Sequence, residues 1–189
     1  MFLDILFGIL SAKIINMIGG EDLDLIILGL SIFFALLPDI DVPVELYSRK
    51  GKLGGKTETH HRQLTHYPIW YIPLVIAVTY YFGIFWGFLL AVNVFWHFLH
   101  DLNGTGWGIK LLGPFSKNNY KMFTNKDGTQ NLRQLFIKWT PAELTDTMQK
   151  HGDPYWMKNI MFNPKSSTFW FEVAIPLLLL PVIVFLVLL

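Results

Sequence analysis

Leu36-Leu37-Pro38-Asp39-Ile40-Asp41, a basic loop, and then His60-His61-Arg62-Gln63-Leu64-Thr65-His66 form the stretch that organises the chain. Within about thirty residues it gathers two aspartates, three imidazoles and several cations between apolar runs. Carboxylate oxygens and imidazole nitrogens are what a divalent metal such as zinc or manganese requires. A second cluster, His97-Phe98-Leu99-His100-Asp101, closes the next long apolar run. Whether the fold can bring the two clusters together decides both architecture and chemistry.

Composition bounds the answer. Of 189 residues, 52% are hydrophobic and only 15% charged, whereas a soluble domain carries about a quarter charged. Aromatics at 16% and a mean hydropathy of +0.40 point the same way, to an integral membrane protein of one domain, residues 1–189. The net charge of +1 implies no overall attraction to nucleic acid. Cysteine is absent, which excludes disulfides and thiolate metal sites. The start Met1-Phe2-Leu3-Asp4 lacks the basic segment of a cleavable signal peptide.

Five apolar runs read as spans of an all-α membrane bundle: residues 2–18, 25–37, 67–82, 84–102 and 169–189. The first two fall short of the ~20 residues that cross a bilayer. Pro38 ends the second, because the residue before proline avoids the helical region. A polar loop follows over 43–66, and Pro73 predicts a kink in the third span. Residues 103–168 read as a cytoplasmic insertion of helix and loop before the last span. There Thr140-Pro141-Ala142-Glu143 has the pattern of a helix start, with a Thr cap, Pro at the first position and Glu at the third. Asp153-Pro154 suggests another.

Basic residues give the orientation. Arg49, Lys50, Lys52, Lys56 and Arg62 crowd the 43–66 loop, and nine lysines and arginines lie in 103–168. None lies in the 19–24 turn or at the C-terminal end. The positive-inside rule puts both basic segments in the cytoplasm, with the N-terminus inside and the C-terminus outside. Asp4, Asp39, Asp41, His66 and the His97–Asp101 cluster then all reach one membrane face.

Each cluster also has a plainer reading. His97 and Asp101, four residues apart, stack on one side of a helix, and Asn93 extends the polar stripe by a turn. Such a stripe near a membrane helix end faces the bundle interior or a wet cavity, and a hydrogen-bond network between spans would satisfy it as well as a metal would. Pro-Asp-x-Asp is a common turn composition. His61 and His66 have the wrong spacing for one helix face and suit a loop, with Thr65 a candidate cap for the helix that His66 opens. Arg62 fits a solvated charge or an anchor for an anionic substrate. The combination, more than any one of them, favours a metal.

Pro38-Asp39-Ile40-Asp41, then His61-Arg62-x-x-Thr65-His66, then His97-x-x-x-Asp101, taken in order, resemble the YdjM-type family of membrane-bound metal-dependent hydrolases, described as LexA-binding and associated with the inner membrane. Gly106-Trp107-Gly108-Ile109, Pro114-Phe115-Ser116 and Tyr120 are similar to that family's continuation, so the resemblance covers roughly residues 1–120. It implies metal ligands at Asp39, Asp41, His61, His66, His97 and Asp101, and a bacterial-type inner-membrane location. Two positions depart. Asp4, four residues before Gly8, stands where family members often carry histidine, and Tyr67 stands where serine often follows Thr-His. An aspartate still ligates a metal, with a harder, oxygen-rich shell.

The reading that results is a metal-dependent hydrolase. One or two divalent ions, zinc first with manganese or iron as alternatives, would be held by Asp4, Asp39, Asp41, His66, His97 and Asp101. His61 or His100 would serve as general acid/base or as a further ligand, and Arg62 would neutralise a phosphate. The expected substrate is a phosphoester or lipid head group at the cytoplasmic face, with membrane lipid the surrounding partner. The alternative is a non-catalytic membrane protein whose polar residues hold a structural metal or a partner.

Overall fold

The computed structural model describes residues 2–19, 23–48, 50, 56 and 65–188. It is mostly helical. Helices α1 (Phe2–Gly19), α2 (Leu25–Leu36), α3 (Val42–Ser48), α4 (Tyr71–Phe82), α5 (Ile84–Asn103), α6 (Pro141–His151), α7 (Ser167–Phe169) and α8 (Ile175–Leu188) accompany a hairpin of β1 (Asn119–Met122) and β2 (Phe136–Trp139). Among the described residues four helical stretches are long and apolar enough to cross a membrane: Phe2–Gly19, Leu25–Ser48, Ile84–Asn103 and Ser167–Val187. The third run of the sequence reading is the exception. Pro68–Phe82 is a shorter apolar helix, a 3₁₀ turn at Pro68–Trp70 leading into α4. Pro73 falls in the first turn of α4, where its missing N–H had no helical partner to lose.

Pro38 does not end the second span. The chain continues through a 3₁₀ turn, Leu37–Asp41, into α3, and so carries helical structure to Ser48. A proline is tolerated at the start of a helical turn because its fixed φ suits one and its absent N–H is not missed. The segment thereby gains the length that residues 25–37 lack. Asp39 and Asp41 sit on a 3₁₀ turn.

Two compact units divide the chain, residues 1–38, 71–97 and 164–189 forming one and residues 39–70 and 98–163 the other. In the first, Ala12, Ile15, Ile27 and Leu89 make a buried apolar cluster against Leu28, Phe34, Phe85 and Trp86. Beside it lies a polar knot. The Ser31 hydroxyl donates to the Gly8 carbonyl at 2.7 Å, Ser11 Oγ meets Asn93 Oδ1 at 2.8 Å, and Asn93 Nδ2 donates to Ser31 Oγ at 3.0 Å. The knot ties α1, α2 and α5 together with polar groups, which apolar surroundings leave no other way to satisfy. A Cβ on Gly8 would lie 2.9 Å from Ile32 Cα, so only glycine lets α1 and α2 approach this closely. In α8 the outward side chains Leu178, Val182, Phe185 and Leu186 are exposed, the surface a lipid-facing helix presents. Ahead of α8 the helix widens to a π turn at Trp170–Ala174, where Glu172 is buried.

In the second unit β1 and β2 pair antiparallel, Asn119 opposite Trp139 and Met122 opposite Phe136. Strands of four residues carry too little alternation to be read from sequence. Ile137 and Trp139 pack on Leu144 and Met148 of α6 and on Trp107. The capping box that opens α6 is as the sequence predicts. Thr140 Oγ1 accepts from Glu143 N, and Glu143 accepts from Thr140 N at 2.8 Å. Asp153 Oδ1 accepts from Tyr155 N at 2.7 Å, beginning a turn that runs into a π-helical segment at Met157–Met161.

Glu143 also receives a hydrogen bond from Lys126 Nζ at 2.7 Å. That bond first, and the two Thr140 bonds after it, lower its pKa from 4.5 to about 2. A depressed carboxyl contributes stability that is present above its unfolded value and lost as pH falls through the folded one. Hydrogen-exchange protection of α6 amides, with rates corrected for the intrinsic pH dependence of exchange, should therefore hold steady down to about pH 4.5 and fall as pH drops toward 2. Glu143→Gln should flatten that acid limb, and an unchanged limb in the variant would remove the capping box as its cause.

Candidate metal centre

Three side chains of the second unit meet first. His66 follows Thr65 in the turn before the 3₁₀ segment Pro68–Trp70 and is 1% exposed. Its Nδ1 lies 3.2 Å from Thr65 Oγ1. Its Nε2 lies 3.4 Å from Asp39 Oδ1 and 3.7 Å from Asp101 Oδ2. These separations exceed the 2.7–3.2 Å of an N–H···O hydrogen bond. Two ligands bound at about 2.0–2.2 Å to one ion, at tetrahedral or octahedral angles, stand roughly 2.8–3.6 Å apart. The spacing is close to that of donors around a shared cation. Both carboxylates are 12% exposed, and two partly desolvated anions at one imidazole repel each other unless positive charge joins them.

In the first unit His97, on α5, is also 1% exposed. Its Nδ1 is 2.8 Å from the carbonyl oxygen of Ala35 at the end of α2. A carbonyl only accepts, so Nδ1 carries a proton, and the neutral form of the ring has its lone pair on Nε2. A backbone acceptor that fixes the tautomer of a histidine in this way is the usual support of a metal ligand. Asp4, buried in the first turn of α1, approaches the same nitrogen, its Oδ1 3.9 Å from Nδ1.

The polar knot sets this register. Asp4 precedes Gly8 by one turn of α1, Ala35 follows Ser31 by one turn of α2, and His97 follows Asn93 by one turn of α5. Side chains four apart stack on one helix face, so the knot in one layer places Asp4, the Ala35 carbonyl and His97 in the next. It follows that the start of α1 and the ends of α2 and α5 lie at the same end of this unit.

Helix α5 runs unbroken from Ile84 to Asn103, so His97 and Asp101 occupy successive turns of one element. Asp39, His66 and His97 each offer one ligand atom, and these atoms all lie within 4.8 Å of one another. Two imidazoles and a carboxylate are a donor set that zinc, manganese and iron accept. Of the other residues singled out from sequence, Asp101 reaches His66 and Asp4 reaches His97, as above. Asp41 ends the 3₁₀ turn half-buried, outside the group of three. His100 is half-buried on α5, where a Cβ on Gly104 would come within 2.8 Å of its carbonyl oxygen and 3.3 Å of its ring. His61 and Arg62 lie outside the described residues.

Two contributors carry no signature in sequence. The Ala35 carbonyl is a backbone atom, identical in every residue type. Lys121, 4% exposed on β1, donates from Nζ to the Gly104 carbonyl at 2.6 Å. It closes the C-terminal end of α5 with the charge that end favours, although by composition it is one of nine ordinary cations.

No curated protein and no solved structure matches the chain. The profile of one family does, over residues 3–188. That is nearly the whole sequence, from the first turn of α1 through α8, and reaches beyond the roughly 120 residues on which the motifs alone bear. With apolar helices long enough to cross a bilayer and a His/Asp group close enough to hold a metal ion, this chain belongs to the YdjM inner membrane protein family.

Proposed function

We propose that the protein is a membrane-bound, metal-dependent hydrolase acting at the cytoplasmic face on a phosphoester or lipid head group. The observation that carries this reading is that Asp39, His66 and His97 each offer a ligand atom within 4.8 Å of the others, with Asp101 3.7 Å from His66. A divalent ion there, zinc before manganese or iron, would acidify a bound water and polarise a phosphoryl oxygen. The chain's own part is to hold the donors ready. The Ala35 carbonyl orients His97, the Thr65 hydroxyl steadies His66, and Asp101 offers a second carboxylate. Asp41 joins Asp101 as a candidate for further ligation. His100 and His61 are the candidates for moving a proton, and Arg62 for neutralising a phosphate.

The decisive comparison is turnover of a phosphoester by the metal-loaded protein against the chelated protein. Activity equal in both would end the hydrolase reading. A second reading, a non-catalytic scaffold, draws on the Ser11–Ser31–Asn93 knot, which shows that this chain also uses buried polar groups purely to join helices. Bound metal without turnover on any phosphoester would favour it.

Sidedness has its own test. The chain has no cysteine, so single cysteines at Ser48 and Asn125 are unique labels. Both should react with an impermeant reagent only from the cytoplasmic side, and labelling from the outside would invert the topology. Asp4→Asn should weaken metal binding about 10-fold, the lower range for an outer carboxylate behind a ligating histidine. Unchanged affinity would reduce Asp4 to a helix-packing role.

A further inference from the structure

Residues 110–117, Lys-Leu-Leu-Gly-Pro-Phe-Ser-Lys, form a tight loop between α5 and β1. Gly113 N donates to the Lys110 carbonyl at 2.8 Å and Ser116 N to the Leu112 carbonyl at 2.9 Å, so the loop is wound on itself. Winding pushes its large apolar side chains outward: Phe115 is 85% exposed and Leu112 54%. A wound, internally bonded loop that presents phenylalanine and leucine at its tip is costly in water and favourable in a bilayer interface.

Its place in the unit names the occupant. Gly113 packs flat on the ring of Tyr67, where a Cβ would overlap Cδ1 and Cε1. Tyr67 stands directly before the apolar helix Pro68–Phe82, whose first residues Ile69 and Trp70 are themselves exposed. Tyr and Trp gather at the level of lipid head groups. Phe115 and Leu112 thus sit on a loop packed against Tyr67, the residue next to this exposed apolar, aromatic stretch in sequence. Lys110 and Lys117 flank the tip, and Lys117 is exposed. Lysines beside an apolar wedge match the negative surface of an anionic leaflet, their stems lying along the hydrocarbon boundary.

We infer that the 110–117 loop inserts its Leu112 and Phe115 tip into the interface of an anionic phospholipid bilayer, with Lys117 at the phosphates. Tyr67 adjoins His66 in sequence, so the same loop would bring lipid head groups beside the candidate centre. The insertion itself does not depend on that centre being catalytic.

The full chain with Phe115→Cys, its single thiol carrying an environment-sensitive fluorophore, is reconstituted into phosphatidylethanolamine/phosphatidylglycerol vesicles. Emission should be blue-shifted, quenched by spin-labelled lipid and little affected by aqueous iodide. Leu112→Cys should behave alike, which guards against a local effect of either substitution. Asp127→Cys, on an exposed turn, should remain open to iodide and insensitive to spin-labelled lipid. Adding Lys117→Glu to Phe115→Cys should reduce the quenching by spin-labelled lipid. Iodide quenching at 115 and 112 equal to that at 127 would overturn the proposal. So would protection from both quenchers together with energy transfer between labelled copies, which would give the tip to a second molecule of this chain. Chelating the metal should leave the lipid signal intact, which separates this result from the fate of the hydrolase reading.

Discussion

His97→Ala should cost the purified protein most of its bound metal, with affinity falling at least about 100-fold. Loss of a supporting partner alone costs about 10–100-fold, and here the candidate ligand itself is removed. The Ala35 carbonyl, 2.8 Å from Nδ1, would face a void, and Asp4 would lose the ring it approaches at 3.9 Å. His66→Ala should do the same, because its Nε2 lies 3.4 Å from Asp39 Oδ1 and 3.7 Å from Asp101 Oδ2. His151→Ala removes an imidazole from the exposed end of α6 and should leave metal content untouched. Elemental analysis of the four proteins side by side gives the answer. Equal metal in wild type and His97→Ala, or absence from both after growth and dialysis in zinc, would remove the metal from the proposal.

What sequence could tell followed from how local each signal is. The i,i+4 spacing of His97 and Asp101 and the Thr140–Glu143 capping box are each contained in five residues or fewer, and both stand as read. Pro38 was legible only as a break, since the rule for the residue before proline does not reveal that a following 3₁₀ turn can take up the helix again. The meeting of His66 with Asp39 depends on closing a connection of 26 intervening residues, and chemistry of the donors was the only hint of it. The Ala35 carbonyl, the Lys121 clamp and the four-residue strands left no pattern to read. Each is a backbone or tertiary fact, decided by packing rather than by residue type.

Gly8→Leu should unfold the site without touching a ligand. At this position a Cβ already lies 2.9 Å from Ile32 Cα and 3.1 Å from the Ser31 carbonyl, both backbone atoms that cannot rotate away. Three further carbons must push α1 off α2, and overpacking together with the loss of the Ser31–Gly8 bond is worth on the order of 2–4 kcal/mol. Because Asp4 rides one turn from Gly8 and Ala35 one turn from Ser31, the displacement moves both supports of His97 at once. Metal affinity should fall along with the midpoint of thermal unfolding. Asn93→Leu gives the graded comparison, since it deletes the knot's central amide yet adds no bulk between the helices. Its cost should be about 1–2 kcal/mol, with a smaller loss of metal. A Gly8→Leu protein that melts with the wild type and binds metal as tightly would break the link between helix register and the candidate centre. A protein that melts early yet keeps full affinity would show that the register is held by something other than the knot.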